Sequence, residues 1–422
     1  MTNASEDHPR TIIVGAGIVG SALAAFLSED PKSNPILLID RSFSNILGST
    51  EYAPGFLGQF NQSKVLTKLA VDSLKDYERF PETFVRAGGL ELAASDDGIR
   101  NLQDRCKRSK EAGLSARMLS PEERDTLVPD FVNQGSFKQA LHFPTDGVVD
   151  AASLCLAYRA MAQNQGVQTL EVDITSLEIV NSTIRGVRTS TDSPSIKADK
   201  VILATGIWSS LLTNASLPSL PLPVVPVAHP YVYTTIADNP LNTPTPPFCR
   251  WPESYIYARL HTPNRLGLGT YAHAPLHIPN PGPTALEPWP LELFGPLIAA
   301  SAEAKLEPGL AAAFKQETET DTSTTTGKGR EVINGVFSVT PDNLPLLGAV
   351  PGVQGLSLAV AVWITHAAGC ARLMARMLTG EIFDEEMARM LEPGRFGDAC
   401  REKLRETALR QYNDIYRSEL GE

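Results

Sequence analysis

Three glycines and one aspartate near the N-terminus have the types and the spacing of a dinucleotide-binding site. Gly15, Gly17 and Gly20 form a G-x-G-x-x-G motif, and Asp40 follows twenty positions later. The first glycine makes a tight turn, the second lets the backbone approach a diphosphate, and the third lets a helix pack closely on a strand. A carboxylate at this spacing accepts hydrogen bonds from ribose hydroxyls. The motif predicts a bound dinucleotide and leaves FAD and NAD(P) as alternatives.

The segments around these residues predict the elements that would hold them in place. Residues 11–14 are β-branched or apolar and indicate a short buried strand, and residues 36–39 indicate a second one. Between them, SALAAFLS continues the motif as an apolar helix. The N–H groups at the start of that helix would bind the phosphates, because the helix dipole favours anions there. This order of elements favours a dinucleotide site over a glycine-rich packing turn.

Two later segments favour FAD over NAD(P). The apolar strand VILAT runs into Gly206 and Trp208, a closing turn that returns to the first domain and that often accompanies FAD. A buried strand after Gly355 then turns at Ile364 and Thr365 into another helix. We predict that Thr365 caps this helix and that its N-terminus faces the N1–C2=O edge of the flavin, where negative charge appears on reduction.

Between these parts, the sequence indicates a second domain built as an antiparallel sheet. Residues 218–273 alternate proline-rich stretches with strand-like runs. The runs carry aromatic and polar side chains that would suit a substrate pocket over a flavin: His229, Tyr231, Tyr233, Trp251, Tyr255, Tyr257 and Tyr271. The alternative interpretation is that they are ordinary aromatic residues of a sheet.

The composition argues against several classes of protein. The chain has 422 residues, a net charge of −11 and a pI near 5.3, which disfavours binding to nucleic acid or to an anionic membrane. No apolar run reaches the length of a membrane span, and the polar N-terminus resembles neither a signal nor a transit peptide, so we expect a cytoplasmic protein. The five cysteines form no C-x-x-C pair, and Pro275 separates His273 from His277, so we expect no metal site.

The remaining chain predicts four helices and two irregular segments. Helices are expected over residues 64–87, 97–118, 150–165 and 297–316. Residues 275–296 are expected to be irregular, and residues 317–329 to form a mobile surface loop. From residue 384 onward the charged tail predicts helix packed on the outside of the protein.

Four parts of the sequence together resemble a known family. They are GAGIVG with Asp40, residues 48–55 (GSTEYAPG), residues 141–147 (LHFPTDG), and residues 335–342 (GVFSVTPD) with 361–366 (AVWITH). These stretches are similar to the D-amino-acid-oxidase-type superfamily of FAD amine oxidoreductases, and within it to the FAD half of the dimethylglycine and sarcosine oxidase and dehydrogenase group. The resemblance covers nearly all of the chain to about residue 385.

The resemblance implies a fold of class α/β plus α+β. A Rossmann-like FAD-binding domain of the glutathione-reductase type would join an antiparallel-sheet substrate domain. The FAD-binding domain would be discontinuous and comprise residues 1–90, 145–215 and 335–385. Residues 91–144 and 216–334 would form the substrate domain, and residues 386–422 a C-terminal helical tail.

The resemblance also implies the site residues. A histidine and a tyrosine flank the amine in that family, and they fall on His229 and Tyr257, with Tyr255 as an alternative position for the tyrosine. His229 would accept or relay the amine proton, and Tyr257 would orient the substrate. Arg250 and Arg259, with Tyr255, are candidates for substrate binding. The residues expected to bind FAD are Gly15, Ala16, Gly17, Ile18, Val19, Gly20, Asp40, Arg41, Ser49, Thr50, Tyr52, Val172, Thr205, Gly206, Trp208, Gly348, Trp363, Ile364, Thr365 and His366.

The implied reaction is oxidation of a secondary or tertiary amine such as dimethylglycine or sarcosine. Hydride would pass to flavin N5, and hydrolysis of the iminium would release formaldehyde. The electron acceptor would be O2 or an electron-transfer protein. Two alternatives remain: an oxidase or oxidative cyclase of the same scaffold acting on a larger amine of specialised metabolism, and a non-enzymatic FAD-binding protein.

Two departures from the family pattern affect these expectations. Tyr52 stands where the dimethylglycine group has a histidine bonded covalently to the flavin, and Gly335 lies near the position of the cysteine that does this in monomeric sarcosine oxidases. We therefore expect FAD to bind without a covalent bond. The sequence also ends before the folate-binding domain that the group usually carries, which is a second reason to expect that formaldehyde is released.

Overall fold

The computed structural model describes residues 11–191, 194–217, 222–236, 244–261, 264–319, 331–397 and 399–414 as an assembly of two large sheets flanked by helices. The strands are β1 (Thr11–Val14), β2 (Ile36–Asp40), β3 (Phe56–Leu57), β4 (Phe84–Val85), β5 (Gly89–Ala93), β6 (Arg117–Met118), β7 (Gln139–Phe143), β8 (Gly147–Val149), β9 (Gln168–Glu171), β10 (Ile174–Val180), β11 (Thr183–Thr189), β12 (Ile196–Lys197), β13 (Lys200–Leu203), β14 (Val225–Thr235), β15 (Phe248–Trp251), β16 (Ile256–His261), β17 (Arg265–Thr270), β18 (Leu276–His277), β19 (Val332–Val339), β20 (Leu346–Ala349) and β21 (Leu356–Val360). The helices are α1 (Ile18–Leu27), α2 (Lys64–Tyr77), α3 (Asp96–Glu111), α4 (Pro121–Leu127), α5 (Ala151–Asn164), α6 (Ser209–Ser216), α7 (Leu291–Lys305), α8 (Pro308–Glu319), α9 (Ala367–Thr379), α10 (Glu385–Leu391) and α11 (Arg401–Asp414).

The first large sheet is the predicted Rossmann-like core. Its strand order is β20-β21-β13-β1-β2-β9, parallel throughout except for the edge strand β20. Helix α1 is buried along its whole length and packs between α5 and α9 on one face of this sheet. The small β10-β11-β12 sheet covers the other face. Because the strands are parallel, the carboxyl ends of β1, β2, β13 and β21 meet at one edge, where nucleotides bind in such folds.

The second large sheet is the predicted antiparallel substrate sheet. Its strand order is β18-β14-β17-β16-β15-β5-β7-β6, and β19 pairs with β14. All of its pairings are antiparallel except that of β15 with β5. Helices α7 and α8 bury Ile298 and Phe314 in the apolar core on one side of it. The opposite face of β14, β15 and β16 is turned toward the nucleotide edge of the first sheet and carries side chains that line the cavity.

Strand pairing places two segments differently from the predicted division into domains. β5 begins at Gly89 and belongs to the second sheet, which lies close to the predicted change at residue 90. β19 also belongs to the second sheet, because it pairs with β14 from Val332 to Val339, although residues 335–339 were predicted to be part of the FAD-binding domain. β19 is assigned to the second sheet because its backbone hydrogen bonds are made with the long strand β14.

Three predicted helices have different bounds in the structure. α2 ends at Tyr77 rather than near residue 87, and β4 follows it. α3 ends at Glu111 rather than residue 118, because Gly113 adopts a φ of +81° that terminates the helix. α7 begins at Leu291, inside a segment predicted to be irregular. Pro296 lies in its second turn, where the loss of one backbone hydrogen bond does not end the helix. The predicted loop over 317–329 lies mostly outside the described residues.

The C-terminal tail is helical as predicted, but it is more than an outer cover. α11 packs on β14 and β19, and its Ala408 and Tyr412 are fully buried. Tyr412 shares an apolar cluster with Val225, Val227 and Val339. α11 is thus a surface helix, as predicted, that buries one face against the second sheet. Among the described helices, none combines the length and the apolar character needed to cross a bilayer.

Candidate active site

A cavity of about 790 Å³ lies between the nucleotide edge of the first sheet and the site face of the second. One wall is formed by the glycine loop after β1 and by the ends of β2, β13 and β21. The other wall carries side chains of β14, β15, β16 and β19. Its size and its mixture of apolar walls with a few polar groups are those of a cofactor and small-substrate site.

The glycine loop has the geometry that its sequence motif predicts. Gly15 has a φ of +100°, and a Cβ there would lie 2.4 Å from the carbonyl oxygen of Ala204. A Cβ on Gly20 would lie 1.9 Å from the carbonyl oxygen of Gly15. Gly17 is different, because a Cβ there would meet only the Thr50 hydroxyl, at 3.3 Å. Gly15 and Gly20 are required by the fold itself, whereas Gly17 leaves open the space that a diphosphate would fill.

Hydrogen bonds from neighbouring loops hold the glycine loop in place. The Ile18 N–H donates to the Thr50 hydroxyl at 3.1 Å, and the Ala16 N–H donates to Asp40 Oδ2 at 2.5 Å. Asp40 Oδ1 also accepts from the Ser42 N–H at 3.2 Å. Because an ionised carboxylate has about four acceptor positions, Asp40 can still bind ribose hydroxyls from the cavity wall.

Arg159 of α5 is a cavity residue that the sequence did not reveal. Its Nε and Nη2 donate to the Ala16 carbonyl at 2.9 and 2.5 Å, and its Nη1 donates to the Phe43 carbonyl at 3.3 Å. The side chain is buried, and within the described part of the chain no carboxylate lies in salt-bridge range of it. Arg159 therefore fixes the first turn of the glycine loop and places a positive charge beside the diphosphate position. A single arginine in a helix carries no motif that could have indicated this role.

The wall farther along the cavity is aromatic and cationic. The Arg41 guanidinium lies 4.2 Å from the centroid of the Trp208 ring, and Trp208 Nε1 donates to the carbonyl of Gly282 at 2.9 Å. Both side chains were predicted to contact the cofactor. The predicted cofactor residues that line the cavity are Gly15, Gly17, Ile18, Val19, Asp40, Arg41, Ser49, Thr50, Tyr52, Val172, Thr205, Gly206, Trp208, Trp363, Ile364 and Thr365.

Four predicted cofactor residues do not lie on the cavity wall. Ala16 and Gly20 shape the glycine loop from behind, through the contacts given above. Gly348 lies on β20 and faces Met377 and Pro393. His366 is buried at the start of α9, where burial lowers its pKa to about 4.

The strand-to-helix turn at the flavin edge is present, but its capping differs from the prediction. Ile364 and Thr365 line the cavity between β21 and α9. Thr365 does not cap the helix, because His366 occupies the N-cap position of α9; the Thr365 hydroxyl donates to the Phe56 carbonyl at 3.0 Å. The first amides of α9 instead donate to side chains of α2, that of Gly369 to the Ser73 hydroxyl at 2.8 Å and that of Ala368 to the Tyr77 hydroxyl at 3.4 Å. Helix α2 thus takes the capping role.

The structure brings the two predicted catalytic residues together. His229 Nε2 lies 2.5 Å from the Tyr257 hydroxyl, and the two rings are nearly parallel with centroids 5.8 Å apart. Both side chains line the cavity. Tyr255, the alternative tyrosine, has a φ of +58° at the end of a 3-10 turn and does not line the cavity. The geometry therefore favours Tyr257 over Tyr255.

Two glycines of β17 make this pairing possible, and the sequence analysis missed both. β17 separates β14 from β16, so Tyr257 must reach across it to contact His229. A Cβ on Gly269 would lie 2.4 Å from the Tyr257 hydroxyl, and one on Gly267 would lie 2.1 Å from the Tyr231 hydroxyl. Glycines inside a strand mark close approach of other groups. The alternating glycines of RLGLGT were therefore a usable indication.

Burial controls the charge of the histidine. His229 is buried among Tyr257, Tyr271, Phe337 and Tyr412, and this burial, with a contribution from His273, holds its pKa well below its ordinary value. The imidazole is therefore neutral near pH 7 and has one nitrogen that can accept a hydrogen bond or a proton.

The two candidate arginines differ in position. Arg250 lines the cavity and pairs across the sheet with Tyr257, so the two side chains lie side by side on one face. Arg259 does not line the cavity. Its Nη1 donates to the carbonyls of Gly55 and Val149 at 2.7 and 3.3 Å, which ties β16 to the loop after residue 50.

The fold and the site indicate a class of protein, and a comparison with known families identifies that class. The family described as FAD dependent oxidoreductase matches residues 10–377, so the chain belongs to this family. The glycine loop, Asp40, Arg159 and the size of the cavity fit FAD, which this family uses.

Two of the relatives are amine oxidoreductases by name, and another is the mitochondrial pyruvate dehydrogenase phosphatase regulatory subunit of Mus musculus. The chain is 26% identical to mitochondrial dimethylglycine dehydrogenase of Rattus norvegicus over 97% of its length and 48% of the relative's. It is 28% identical to 4-methylaminobutanoate oxidase (formaldehyde-forming) of Paenarthrobacter nicotinovorans over 72% of its length and 37% of the relative's. The chain thus spans about half the length, or less, of these relatives. L-proline dehydrogenase from P. horikoshii shares the fold, with a TM-score of 0.75 at 19% identity, over 92% of this chain and 98% of that one.

Proposed function

We propose that this protein catalyses FAD-dependent oxidation of a secondary or tertiary amine, and that its substrate is an N-methyl amino acid such as dimethylglycine or sarcosine. The observation that carries the proposal is the hydrogen-bonded pair of His229 and Tyr257, which lines the wall of the cavity opposite the nucleotide edge. Bound FAD supplies the hydride acceptor for such a reaction. The residues of the chain must then bind the amine, remove its proton and exclude water.

The protonation state of the amine explains why this pair matters. A secondary or tertiary amine is mostly cationic near neutral pH, and the nitrogen lone pair is needed to form the carbon–nitrogen double bond. His229 is neutral because it is buried, so a substrate ammonium group meets an acceptor rather than a like charge. Tyr257 lines the cavity beside His229 and would orient the amine by a hydrogen bond. Proton removal of this kind contributes about 10²- to 10⁴-fold to a rate.

Arg250 supports an amino acid rather than a simple amine as substrate. Arg250 and Tyr257 are directly opposite partners on adjacent strands, where Cβ atoms lie about 4.5–5.5 Å apart. In an α-amino acid the nitrogen and the carboxylate are separated by one carbon. One molecule can therefore bind Tyr257 through its nitrogen and Arg250 through its carboxylate, and a guanidinium binds a carboxylate with two parallel hydrogen bonds.

The proposed product is the demethylated amine together with formaldehyde. Oxidation of an N-methyl group gives an iminium ion, and addition of one water splits it into amine and formaldehyde. The similarity to a 4-methylaminobutanoate oxidase described as formaldehyde-forming supports this outcome.

We further propose that FAD binds without a covalent bond. Tyr52 lines the cavity, and a Cβ on Gly335 would lie 3.7 Å from the Tyr52 Cβ, so the two positions that carry the covalent ligand in related groups adjoin each other here. Neither residue has the imidazole or thiol that those groups use.

Acid precipitation of the purified protein followed by anaerobic titration tests both parts. Yellow colour in the acid supernatant is expected, and flavin retained in the pellet would overturn the non-covalent assignment. Sarcosine, dimethylglycine and 4-methylaminobutanoate are then added without oxygen, and bleaching of the flavin with formation of formaldehyde after reoxidation is expected. If larger amines bleach the flavin and none of these three does, the proposed substrate class is wrong.

A further inference from the structure

The His229–Tyr257 pair is one end of a longer chain of hydrogen bonds that crosses the protein. His229 Nδ1 lies 2.8 Å from the Tyr412 hydroxyl, which lies 2.6 Å from His273 Nε2. His273 Nδ1 lies 2.8 Å from the backbone carbonyl of Ala274. Four side chains from β16, β14, α11 and the segment after β17 are thereby joined end to end. None of them is more than 9% exposed.

The carbonyl at the far end fixes the direction of every hydrogen bond. A carbonyl oxygen can only accept, so His273 Nδ1 carries the proton and its Nε2 is the acceptor. The Tyr412 hydroxyl therefore donates to His273, and its oxygen accepts from His229 Nδ1–H. This leaves His229 Nε2 as an acceptor for the Tyr257 hydroxyl. The Tyr257 oxygen then presents its lone pairs to the cavity, where a substrate N–H can donate to it.

We propose that Tyr412 and His273 are positioning and relay residues that carry the substrate's ammonium proton away from the cavity through Tyr257 and His229. The inference rests on the proposed function, because it requires a protonated amine at Tyr257. It assigns a role in the chemistry to α11, a helix outside the predicted FAD-binding and substrate domains.

The transfer is balanced in bonds and charge. The N–H bond of the ammonium breaks as its proton joins the Tyr257 oxygen, and the original Tyr257 proton moves to His229 Nε2. The His229 Nδ1 proton moves to Tyr412, and the original Tyr412 proton moves to His273 Nε2. The substrate becomes a neutral amine, and His273 becomes an imidazolium whose Nδ1–H remains bonded to the Ala274 carbonyl. No electrons are exchanged.

The surroundings of the chain suit this transfer. The titratable groups that face His229 are Tyr257 from β16, Tyr271 and His273 from the segment after β17, and Tyr412 from α11, and all are neutral at pH 7 in their ordinary forms. A carboxylate beside His229 would hold the proton there. Its place is taken by neutral groups, so the proton can pass on to His273, where burial lowers the pKa and the hydrogen bond to the Ala274 carbonyl opposes this effect.

Contacts of α11 hold His273 and Tyr412, at the far end of the series of hydrogen bonds, in position. The Asn413 side chain donates to the His273 carbonyl at 2.6 Å, next to Tyr412 on the same helix. Tyr271 packs between the two sides, with ring centroids 4.3 Å from His229 and 5.3 Å from Tyr412.

The pH dependence of anaerobic flavin reduction tests the relay. Tyr412→Phe keeps the ring and removes the hydroxyl that joins the two histidines. We expect full flavin content, a reduction rate at pH 7 at least tenfold below wild type, and a profile shifted to higher pH, because the amine must then lose its proton before binding. Leu409→Ala, on the same helix and in the same apolar cluster, is the matched control and should keep the wild-type profile. An unchanged profile in Tyr412→Phe would overturn the relay while leaving the proposed function intact.

Nitrogen NMR of histidine-labelled protein tests the same chain without turnover. His229 and His273 should both carry their proton on Nδ1 in the wild type, and Tyr412→Phe should release His229 from this tautomer. His273→Asn provides a second variant if Tyr412→Phe does not fold, and it should produce the same shift of the pH profile. A His229 with its proton on Nε2 in the wild type would contradict the proposed direction. If no amine reduces the wild-type flavin, the proposed function is wrong. The tautomers of His229 and His273 then test the direction of the hydrogen bonds by themselves.

Discussion

The two walls of the cavity are built in opposite ways. On the nucleotide wall, backbone groups and glycines do most of the work, and Gly15, Gly17 and Gly20 lie within six residues of one another. On the substrate wall, side chains do the work, and the hydrogen bond between His229 and Tyr412 joins residues 183 positions apart. The first wall is a local structure that one motif determines. The second depends on the pairing of distant strands and the docking of a terminal helix.

This difference has a consequence for stability and function. A nucleotide wall made from backbone tolerates little change in shape, since one added methyl group collides with main-chain atoms. The substrate wall buries several polar side chains, each of which must be hydrogen-bonded to offset the loss of water. Changes at the first wall should therefore remove the cofactor, whereas changes at the second should leave the cofactor bound and slow its reduction.

The largest effect is expected for Gly20→Ala on the nucleotide wall. The new Cβ would lie 1.9 Å from the Gly15 carbonyl oxygen, so the glycine loop must move. We expect protein purified without bound flavin, or insoluble protein, as measured by the ratio of flavin absorption to protein absorption. Gly309→Ala is the matched control, because nothing lies within 4 Å of a Cβ there. Stoichiometric flavin in Gly20→Ala would contradict the proposed difference between the nucleotide wall and the substrate wall.

A smaller and different effect is expected for Gly269→Ala on the substrate wall. The methyl carbon would lie 2.4 Å from the Tyr257 hydroxyl, which is too close, so Tyr257 would have to move away from its contact with His229. We expect wild-type flavin content and an anaerobic reduction rate lower by about 10²-fold, in the range that acid–base catalysis contributes. Gly309→Ala again serves as the control. Loss of flavin in Gly269→Ala would show that the two walls are not independent.

The pH dependence of the free energy of unfolding should reveal the energetic cost of burying polar groups at the substrate wall. Asp146 is buried behind this wall, and burial raises its pKa from 3.8 to about 7, with smaller opposing effects of the hydrogen bond from the Gln59 N–H and of Arg250. Between about pH 4 and pH 7 the folded state holds a proton that the unfolded state has lost, so the free energy of unfolding falls as pH rises through this range. The contribution is about 4 kcal/mol at most, from about 1.4 kcal/mol for each pH unit.

Asp146→Asn should remove this slope while keeping an oxygen that accepts from the Gln59 N–H. Chemical denaturation at pH 5 and pH 8 measures the change, and Asp97→Asn, at an exposed carboxylate, is the control. If the slope persists in Asp146→Asn, the carboxyl group is not the source of the pH dependence.

Sequence reasoning succeeded where the determinants were local. The glycine motif and Asp40 predicted the nucleotide wall because their spacing alone sets their geometry. The alternation of strands and proline-rich turns predicted the antiparallel sheet, and the family resemblance placed His229 and Tyr257 close to each other.

The failures occurred where distant parts of the chain compete for the same groups. Thr365 has the right type for a cap, but α9 begins one residue later, with His366 at the N-cap position, and its first amides donate to side chains of α2. Arg259 looked like a substrate ligand, yet it satisfies two backbone carbonyls. Tyr412 could not be found from its own segment, since nothing local indicates which sheet a terminal helix will cover.

Side-by-side anaerobic reduction of the wild type and Tyr257→Phe tests the central claim most directly. The substitution removes one hydroxyl from the substrate wall and touches nothing on the nucleotide wall. We predict that sarcosine or dimethylglycine bleaches the wild-type flavin, and that Tyr257→Phe contains the same amount of flavin but is reduced at least about 10²-fold more slowly. Equal rates in the two proteins, or loss of flavin from the variant, would contradict the assignment of Tyr257 and His229 to the amine.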